Sequence, residues 1–218
     1  MNEPKFEKGV VTKMTDTITT LTSIFTLLGT ASFMIVVALA CFSFKIFNLS
    51  VTKSTKVTKL AIGLVLGLLA IFGTLMGTKL PSGTIINVRE LAVMIAGVAG
   101  GPISGLLAGL IGGLHRYTVG GATALPCTIS VILIGLISGF ATTKLTGKTY
   151  LLKAGLLGFV LESGAMALIL VLVQPFDVAF GILEQIAVPM VAATTIGLVL
   201  WVFCLIRENR GDNLSHLP

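Results

Sequence analysis

Six stretches of the chain are apolar over most of their length and are separated by short polar segments. Most of them reach the roughly 20 residues that an α-helix needs to cross the hydrocarbon core of a bilayer. The stretches cover residues 21–44, 60–76, 91–114, 124–141, 151–173 and 182–205. This pattern predicts an all-α protein built from helices that span a membrane.

The third stretch is interrupted by Gly100, Gly101 and Pro102. Proline has no amide proton and disfavours helix in the residue before it, so the break predicts two shorter helices over 88–99 and 103–117. Each helix is short for a full span. The membrane region that it crosses must therefore be thin, or the helix must be re-entrant or shielded from lipid by protein. The expected fold is therefore a polytopic bundle of six to seven helices that includes a broken hairpin.

Composition agrees with a membrane protein, because hydrophobic residues make up 55% of the 218 residues and charged residues 11%. A soluble domain carries about 25% charged residues, which excludes a soluble enzyme, a disordered tail and a nucleic-acid binder. We divide the chain into a polar N-terminal tail over 1–19, a transmembrane domain over 20–207 and a cytoplasmic C-terminal tail over 208–218. No catalytic, metal or cofactor motif is found, so the chain is not expected to be an enzyme.

Lysines and arginines predict the orientation, since the loops that carry them usually lie in the cytoplasm. They crowd residues 45–59 and 144–153 and follow the last apolar stretch, whereas the loops 78–87 and 174–181 hold one Lys and one Asp respectively. The C-terminus is expected inside the cell, and the broken hairpin is expected to enter from outside. The same rule places the N-terminus outside the cell, but the lysines of the N-terminal tail argue against that placement. The expected location is the inner or plasma membrane.

Residues 87–139 differ from the rest of the chain. Glycines at 101, 105, 109 and 113 recur every fourth residue, which predicts a smooth stripe for close helix packing. The hairpin brings Arg89 and Arg116 to the same side of the membrane, where two guanidinium groups suit a bound carboxylate. Snorkelling to lipid headgroups is the alternative for both arginines.

The helix that starts after Thr123 points its positive end at the level of these arginines. Thr123, Cys127 and Ser130 are spaced to share one face, which is small and polar in an otherwise apolar helix. Packing is the alternative role for Cys127 and Ser130. Glu162 is either a structural partner within the bundle or a group for proton or ligand coupling, and Glu90 is a candidate counter-charge for Arg89.

Several short motifs resemble the five-transmembrane receptor domain of the LytS–YhcK type, and the resemblance runs from about residue 60 to residue 207. The motifs are Asn87-Val88-Arg89, Ala99-Gly100-Gly101-Pro102, Gly113-Leu114-His115-Arg116-Tyr117, Gly120-Gly121-Ala122-Thr123-Ala124 and Cys127-Thr128-Ile129-Ser130. That domain is the membrane sensor of LytS-type histidine kinases and some diguanylate cyclases, and some members sense extracellular pyruvate. The resemblance implies that ligand is bound by Arg89, Arg116, Cys127 and Ser130, and we add Asn87 and Thr123 to the predicted site.

The resemblance favours a receptor that binds a small carboxylate such as pyruvate and signals to a cytosolic module or response-regulator pathway. A transporter or substrate-capture subunit, similar to the S-components of energy-coupling-factor transporters, is the main alternative, and a scaffold without ligand is a third. The chain is either a stand-alone receptor or the sensor part of a longer kinase. Expected partners are the small carboxylate, the lipid bilayer and the cytosolic module, with a homodimer as an option; no nucleic acid or cofactor is expected.

Overall fold

A computed structural model of the protein describes residues 5–43, 56–80, 84–141 and 149–214. In these residues six helices are long and apolar enough to cross a membrane, which confirms the predicted all-α transmembrane bundle. A two-stranded antiparallel sheet, with Thr78 opposite Ile86, is a minor addition. The elements are α1 (Lys5–Ser43), α2 (Lys56–Leu75), β1 (Thr78–Lys79), β2 (Ile85–Ile86), α3 (Arg89–Val119), α4 (Ala124–Ala141), α5 (Tyr150–Leu172) and α6 (Phe176–Leu214).

The two outermost helices are longer than the apolar stretches that predicted them. Helix α1 begins at Lys5, so most of the segment expected as a polar tail over 1–19 is helical. Helix α6 begins at Phe176 and takes in most of the loop expected over 174–181. Pro175 explains this start, because proline fits a first helical turn and its carbonyl accepts hydrogen bonds from the amides of Val178 and Ala179. Helix α6 also continues past residue 207 to Leu214.

Helix α3 folds back on itself, as the Gly-Gly-Pro break predicted. Gly101 adopts φ 80° and ψ −171°, a left-handed conformation that favours glycine, and Pro102 follows it. The two halves then run side by side: a Cβ atom on Gly105 would lie 2.9 Å from the Cα atom of Gly97. A Cβ atom on Gly112 would likewise lie 3.6 Å from Cδ of Arg89. The first half, about 18 Å long at 1.5 Å per residue, thus places Arg89 level with the end of the second half.

The first half of α3 occupies the centre of the bundle. All side chains from Arg89 to Ala96 are buried, and those of Leu91, Met94 and Ile95 are 0% exposed. Helix α2 packs beside it, because a Cβ on Gly73 would lie 3.2 Å from Cα of Arg89, and α6 packs through Gly197 against Leu91. Protein therefore shields this short half-helix from lipid, which answers the length problem that the sequence posed.

Glycines let the second half of α3 pack closely against α4, which is the kind of close helix packing that the four-residue repeat predicted. A Cβ on Gly109 would lie 2.9 Å from the carbonyl oxygen of Val131, and one on Gly113 would lie 3.2 Å from that of Thr128. The hydroxyl of Thr128 donates to the carbonyl of Gly113 at 3.1 Å, which links the α4 side chain to the α3 backbone. The stripe is thus a helix–helix interface and does not face lipid.

The tip of the α3 hairpin lies at the end of the bundle where α2 begins and α4 ends. The hydroxyl of Ser104 donates to the carbonyl of Lys59 at 2.7 Å, and Gly139 lies against Pro102. Both lysine-rich loops adjoin this end, although Lys45, Lys53, Lys144 and Lys148 themselves lie outside the described residues. The arginine ends of the hairpin are therefore at the opposite end from the lysine-rich loops.

Candidate functional site

The two arginines of the hairpin are buried together at the end opposite the lysine-rich loops. Arg89 begins α3 and is 0% exposed, and Arg116, in the last turn of α3, is 1% exposed. Their guanidinium groups are close enough to repel each other electrostatically. Neither side chain reaches outward as a snorkelling residue would, so their burial argues against the headgroup alternative.

Arg89 is positioned by residues on both sides of it in the sequence and by α2. Its Nη2 forms a buried ion pair with Oε1 of Glu90, and its Nη1 makes a long hydrogen bond of 3.5 Å to the hydroxyl of Thr74. Its backbone amide donates to Oδ1 of Asn87 at 3.1 Å, and the Asn87 side-chain amide donates to the carbonyl of Ile85 at 3.3 Å. Asn87 thereby fixes the start of α3 relative to β2, a positioning role within the predicted site.

Arg116 is held by the turn that connects α3 to α4. Its Nη1 donates to the carbonyl of Gly120 at 2.5 Å, and its Nη2 donates to the hydroxyl of Thr123 at 2.9 Å. Gly120 and Gly121 have φ values of 75° and 93°, which lets this turn bend back over the guanidinium. Thr123 comes immediately before α4, as predicted for a helix cap, but its hydroxyl is used to hold Arg116.

Cys127 lies close to both arginines. Its side chain interacts with the guanidinium groups of both Arg89 and Arg116 and with the side chain of Thr123. Ser130, one turn further along α4, is buried, and its hydroxyl donates to the carbonyl of Cys127 at 3.0 Å. The structure therefore brings together Arg89, Arg116, Thr123 and Cys127, with Ser130 and Asn87 at the edges of the cluster.

The cluster carries an excess of positive charge. Among the described residues the two guanidinium groups have one acid in direct contact, Glu90 against Arg89, which confirms the counter-charge predicted for that residue. The Nε atoms of Arg89 and Arg116 have no hydrogen-bond partner within the part of the chain that the structure describes. A buried cation without a full set of acceptors is costly, so this arrangement suits an anion that would satisfy the free donors.

Two contacts of the cluster escaped the sequence analysis. Thr74 is a single hydroxyl near the end of an apolar helix, and the Gly120 carbonyl is a backbone group, so neither has a sequence signal that points to an arginine. His115 precedes Arg116 but stays outside the cluster, and its Nδ1 has no hydrogen-bond partner among the described residues. No group of three or more potential metal ligands occurs in the described residues.

A protein-family profile described as 5TMR of 5TMR-LYT matches residues 41–208. The matched region contains the spans of α2 to α6, which are five in number, and it begins where the span of α1 ends. The profile thus covers the hairpin, the arginine cluster and the helices around them, while α1 precedes it.

Similar proteins include sensor histidine kinases. BtsS of Escherichia coli K12 is 37% identical over 151 residues, which are 66% of this chain and 27% of that protein. YpdA of the same strain is 32% identical over 187 residues, or 84% of this chain and 32% of that protein. The sensor protein LytS of Bacillus subtilis is 38% identical over 126 residues, or 56% of this chain and 21% of that protein.

This chain spans a third or less of the length of these relatives. No solved structure matches it. The profile nevertheless covers well over half of the chain and includes every residue of the arginine cluster described above. The chain therefore belongs to the 5TMR-LYT family of five-transmembrane receptor domains.

Proposed function

We propose that this domain binds a small carboxylate of the pyruvate type from the outer side of the membrane and passes the binding event to a cytosolic output. The observation that carries the proposal is the pair of fully buried guanidinium groups whose Nε donors lack partners in the described residues. A planar carboxylate accepts two parallel hydrogen bonds from a guanidinium, so it can satisfy such donors and neutralise the excess charge together.

The remaining polar groups of the cluster suit a ligand that is small and has a second polar atom. Cys127 and Ser130 lie one turn apart on α4 next to the arginines, where they can contact a carbonyl or hydroxyl adjacent to the carboxylate. The surrounding side chains of α3 are buried and apolar, which disfavours a large or multiply charged ligand. A short 2-oxo acid meets these requirements.

The output is proposed from the relatives. Those named above are sensor histidine kinases and a sensor protein, and each extends well beyond the region that this chain matches. In this chain α6 carries on helically from the last membrane span to Leu214, which provides a rigid connection to a cytosolic kinase or cyclase module. The proposed receptor therefore signals through movement of α6 into a two-component pathway.

Binding of radiolabelled pyruvate to protein in nanodiscs tests the proposal. Arg116→Lys keeps the charge but loses the planar fork. Loss of one charged hydrogen bond is worth roughly 1.5–3 kcal/mol, so affinity should fall about 10- to 150-fold. Arg207→Lys is the matched control, because Arg207 is exposed and contacts the ring of Phe203 far along α6. It should bind as the wild type does.

Saturable wild-type binding that is unchanged in both Arg89→Lys and Arg116→Lys would remove the arginines from the ligand site. The same protein in liposomes distinguishes a receptor from the transporter alternative. Binding without uptake of labelled pyruvate into the vesicles is expected. Accumulation inside the vesicles would support a transporter.

A further inference from the structure

Cys127 is the thiol of the arginine cluster, and main-chain geometry fixes its place there. Its amide donates to the carbonyl of Thr123 at 3.0 Å, so Cys127 follows Thr123 by one helical turn on the same face of α4. The Thr123 hydroxyl accepts a hydrogen bond from Nη2 of Arg116 at 2.9 Å. The side of α4 that carries the thiol is therefore the side that holds the guanidinium of Arg116.

The first half of α3 brings Arg89 to the same part of α4. A Cβ on Gly135 would lie 2.9 Å from Cγ1 of Val93, and a Cβ on Gly97 would lie 2.7 Å from the amide nitrogen of Gly139. Because a step of one turn along α3 matches a step of one turn along α4, the two helices run in the same direction here. Arg89, one turn before Val93, thus lies beside the first two turns of α4. Both arginines therefore lie against the part of α4 that carries the thiol.

The arginines indicate that this part of the bundle receives a further group. Arg89 is 0% and Arg116 is 1% exposed, yet the Nε donor of each has no hydrogen-bond partner in the described ranges. A buried charged donor without an acceptor is costly, which indicates a ligand that supplies acceptors. Cys127 is half-buried and is not part of a disulfide, so its thiol is free to react with such a ligand.

A 2-oxo acid carries an electrophilic carbon next to its carboxylate. When a guanidinium holds the carboxylate by two hydrogen bonds, the carbonyl carbon is fixed one bond away from the carboxyl carbon. A thiol beside the same guanidinium then meets that carbon at a very high effective concentration. The neighbouring hydroxyls of Thr123 and Ser130 are weaker nucleophiles and are already hydrogen-bonded, which leaves the sulfur of Cys127 as the reactive group.

We propose that Cys127 binds the 2-oxo acid covalently and reversibly, as a hemithioketal. The sulfur forms a bond to the carbonyl carbon, the π bond of the carbonyl breaks, and the thiol proton ends on the former carbonyl oxygen, which becomes a hydroxyl. The step needs no oxidant or reductant, and it leads from a neutral thiol to a neutral adduct. This inference rests on the proposed function, and it identifies the 2-oxo group as the feature that the site selects.

The unpartnered guanidinium donors favour the adduct. An Nε–H group beside the reacting carbonyl donates to its oxygen while negative charge develops there, and it retains a hydroxyl oxygen as acceptor in the adduct. A 2-hydroxy acid of the same size offers the same carboxylate but no electrophilic carbon. The domain should therefore bind pyruvate more tightly than L-lactate, and the difference should arise at Cys127.

Carbon-13 NMR of pyruvate labelled at its carbonyl carbon, bound to the protein in proteoliposomes, observes the bond directly. The ligand bound to the wild type should give a signal in the range of tetrahedral carbon rather than ketone carbon. Cys127→Ser nearly keeps the size of the side chain but lacks the sulfur, and its bound pyruvate should give a ketone signal. Cys204→Ser is the matched control, because Cys204 is also a half-buried thiol, on α6, and the tetrahedral signal should persist there.

Two further measurements protect the test against a variant that does not fold. Infrared difference spectra of the wild type should show loss of a thiol S–H band when pyruvate is added, and no loss with L-lactate. Cys127→Ala should lower the affinity for pyruvate by about tenfold or more, because a covalent contact is removed. It should lower the affinity for L-lactate much less, so the preference for the 2-oxo acid should collapse.

The outcomes separate this inference from the proposed function. Saturable pyruvate binding with a ketone signal in the wild type would overturn the inference and leave the carboxylate site in place. A tetrahedral signal that persists in Cys127→Ser would belong to the hydrate of pyruvate and would also overturn it. Equal loss of affinity for pyruvate and L-lactate in Cys127→Ala would show that the sulfur only packs against the ligand. A wild type that does not bind pyruvate would overturn the proposed ligand, and the hemithioketal with it.

Discussion

Arg116 donates a hydrogen bond from Nη2 to the hydroxyl of Thr123 at 2.9 Å, and both side chains are buried. This contact joins the end of α3 to the residue before α4. The orientation of a guanidinium in the candidate site therefore depends on the turn between the two helices. Any ligand that moves Arg116 would also pull on the start of α4.

Thr123→Val tests that relationship, because valine keeps the shape and removes the acceptor. A buried donor left unpaired costs about 1–3 kcal/mol, so we expect a lower thermal midpoint and weaker pyruvate binding. Thr118→Val is the matched control, since the Thr118 hydroxyl is exposed and bonds locally to the carbonyl of His115. Equal melting and equal affinity of Thr123→Val and Thr118→Val would show that the contact contributes nothing.

Gly109→Leu should disrupt the bundle although it raises hydrophobicity. A Cβ at Gly109 would lie 2.9 Å from the carbonyl oxygen of Val131, and the remaining atoms of leucine would meet the backbone of α4. Overpacking costs about 1–3 kcal/mol even where side chains can adjust, and a backbone cannot yield as easily. Yield and thermal unfolding after detergent extraction measure the effect.

The control for that substitution is Gly164→Leu on α5, where no atom lies within 4 Å of an added Cβ. Gly164→Leu should extract and melt as the wild type does. Normal folding of Gly109→Leu would mean that α3 and α4 can separate without loss of structure.

Ser104→Ala removes the hydrogen bond between the hairpin tip and α2. The Ser104 hydroxyl donates to the Lys59 carbonyl at 2.7 Å, and the side chain is 0% exposed. The loss should lower the free energy of unfolding by about 1 kcal/mol. Because the contact lies at the end of α3 away from the arginines, pyruvate affinity should stay unchanged. A large loss of affinity with normal stability would instead show coupling between the tip and the ligand site.

The lysine-rich loops should face the cytoplasm. In a background without the three native cysteines, a cysteine in place of Ser54 should resist an impermeant maleimide in intact cells. A cysteine in place of Asp177, an exposed residue at the start of α6, should react. Reversed labelling of the two positions would invert the orientation and move the arginine cluster to the cytoplasmic side.

Much of this fold is determined by the sequence, because a bilayer leaves few alternatives to helices that satisfy their own backbone groups. The apolar stretches located all six spans, and Gly101 with Pro102 located the reversal in α3, since few other residue pairs permit such a turn. Glycine spacing predicted a close helix interface because its cause is local: the absence of a side chain every fourth residue. Only the structure identified α4 as the partner. The full lengths of α1 and α6 were underestimated, because polar residues continue a helix without an apolar signal.

The tertiary structure alone decided which groups meet in the candidate site. Sequence placed Arg89 and Arg116 at matching ends of a hairpin, but their complete burial follows from the packing of α2, α4 and α6 around them. The electrostatic interaction of Glu162 on α5 with Glu90 and Arg89 joins residues more than 70 positions apart, and no local periodicity records such a proximity. Charge balance in the bundle depends on these long-range distances, because electrostatic energies in an apolar medium change steeply with separation and solvation.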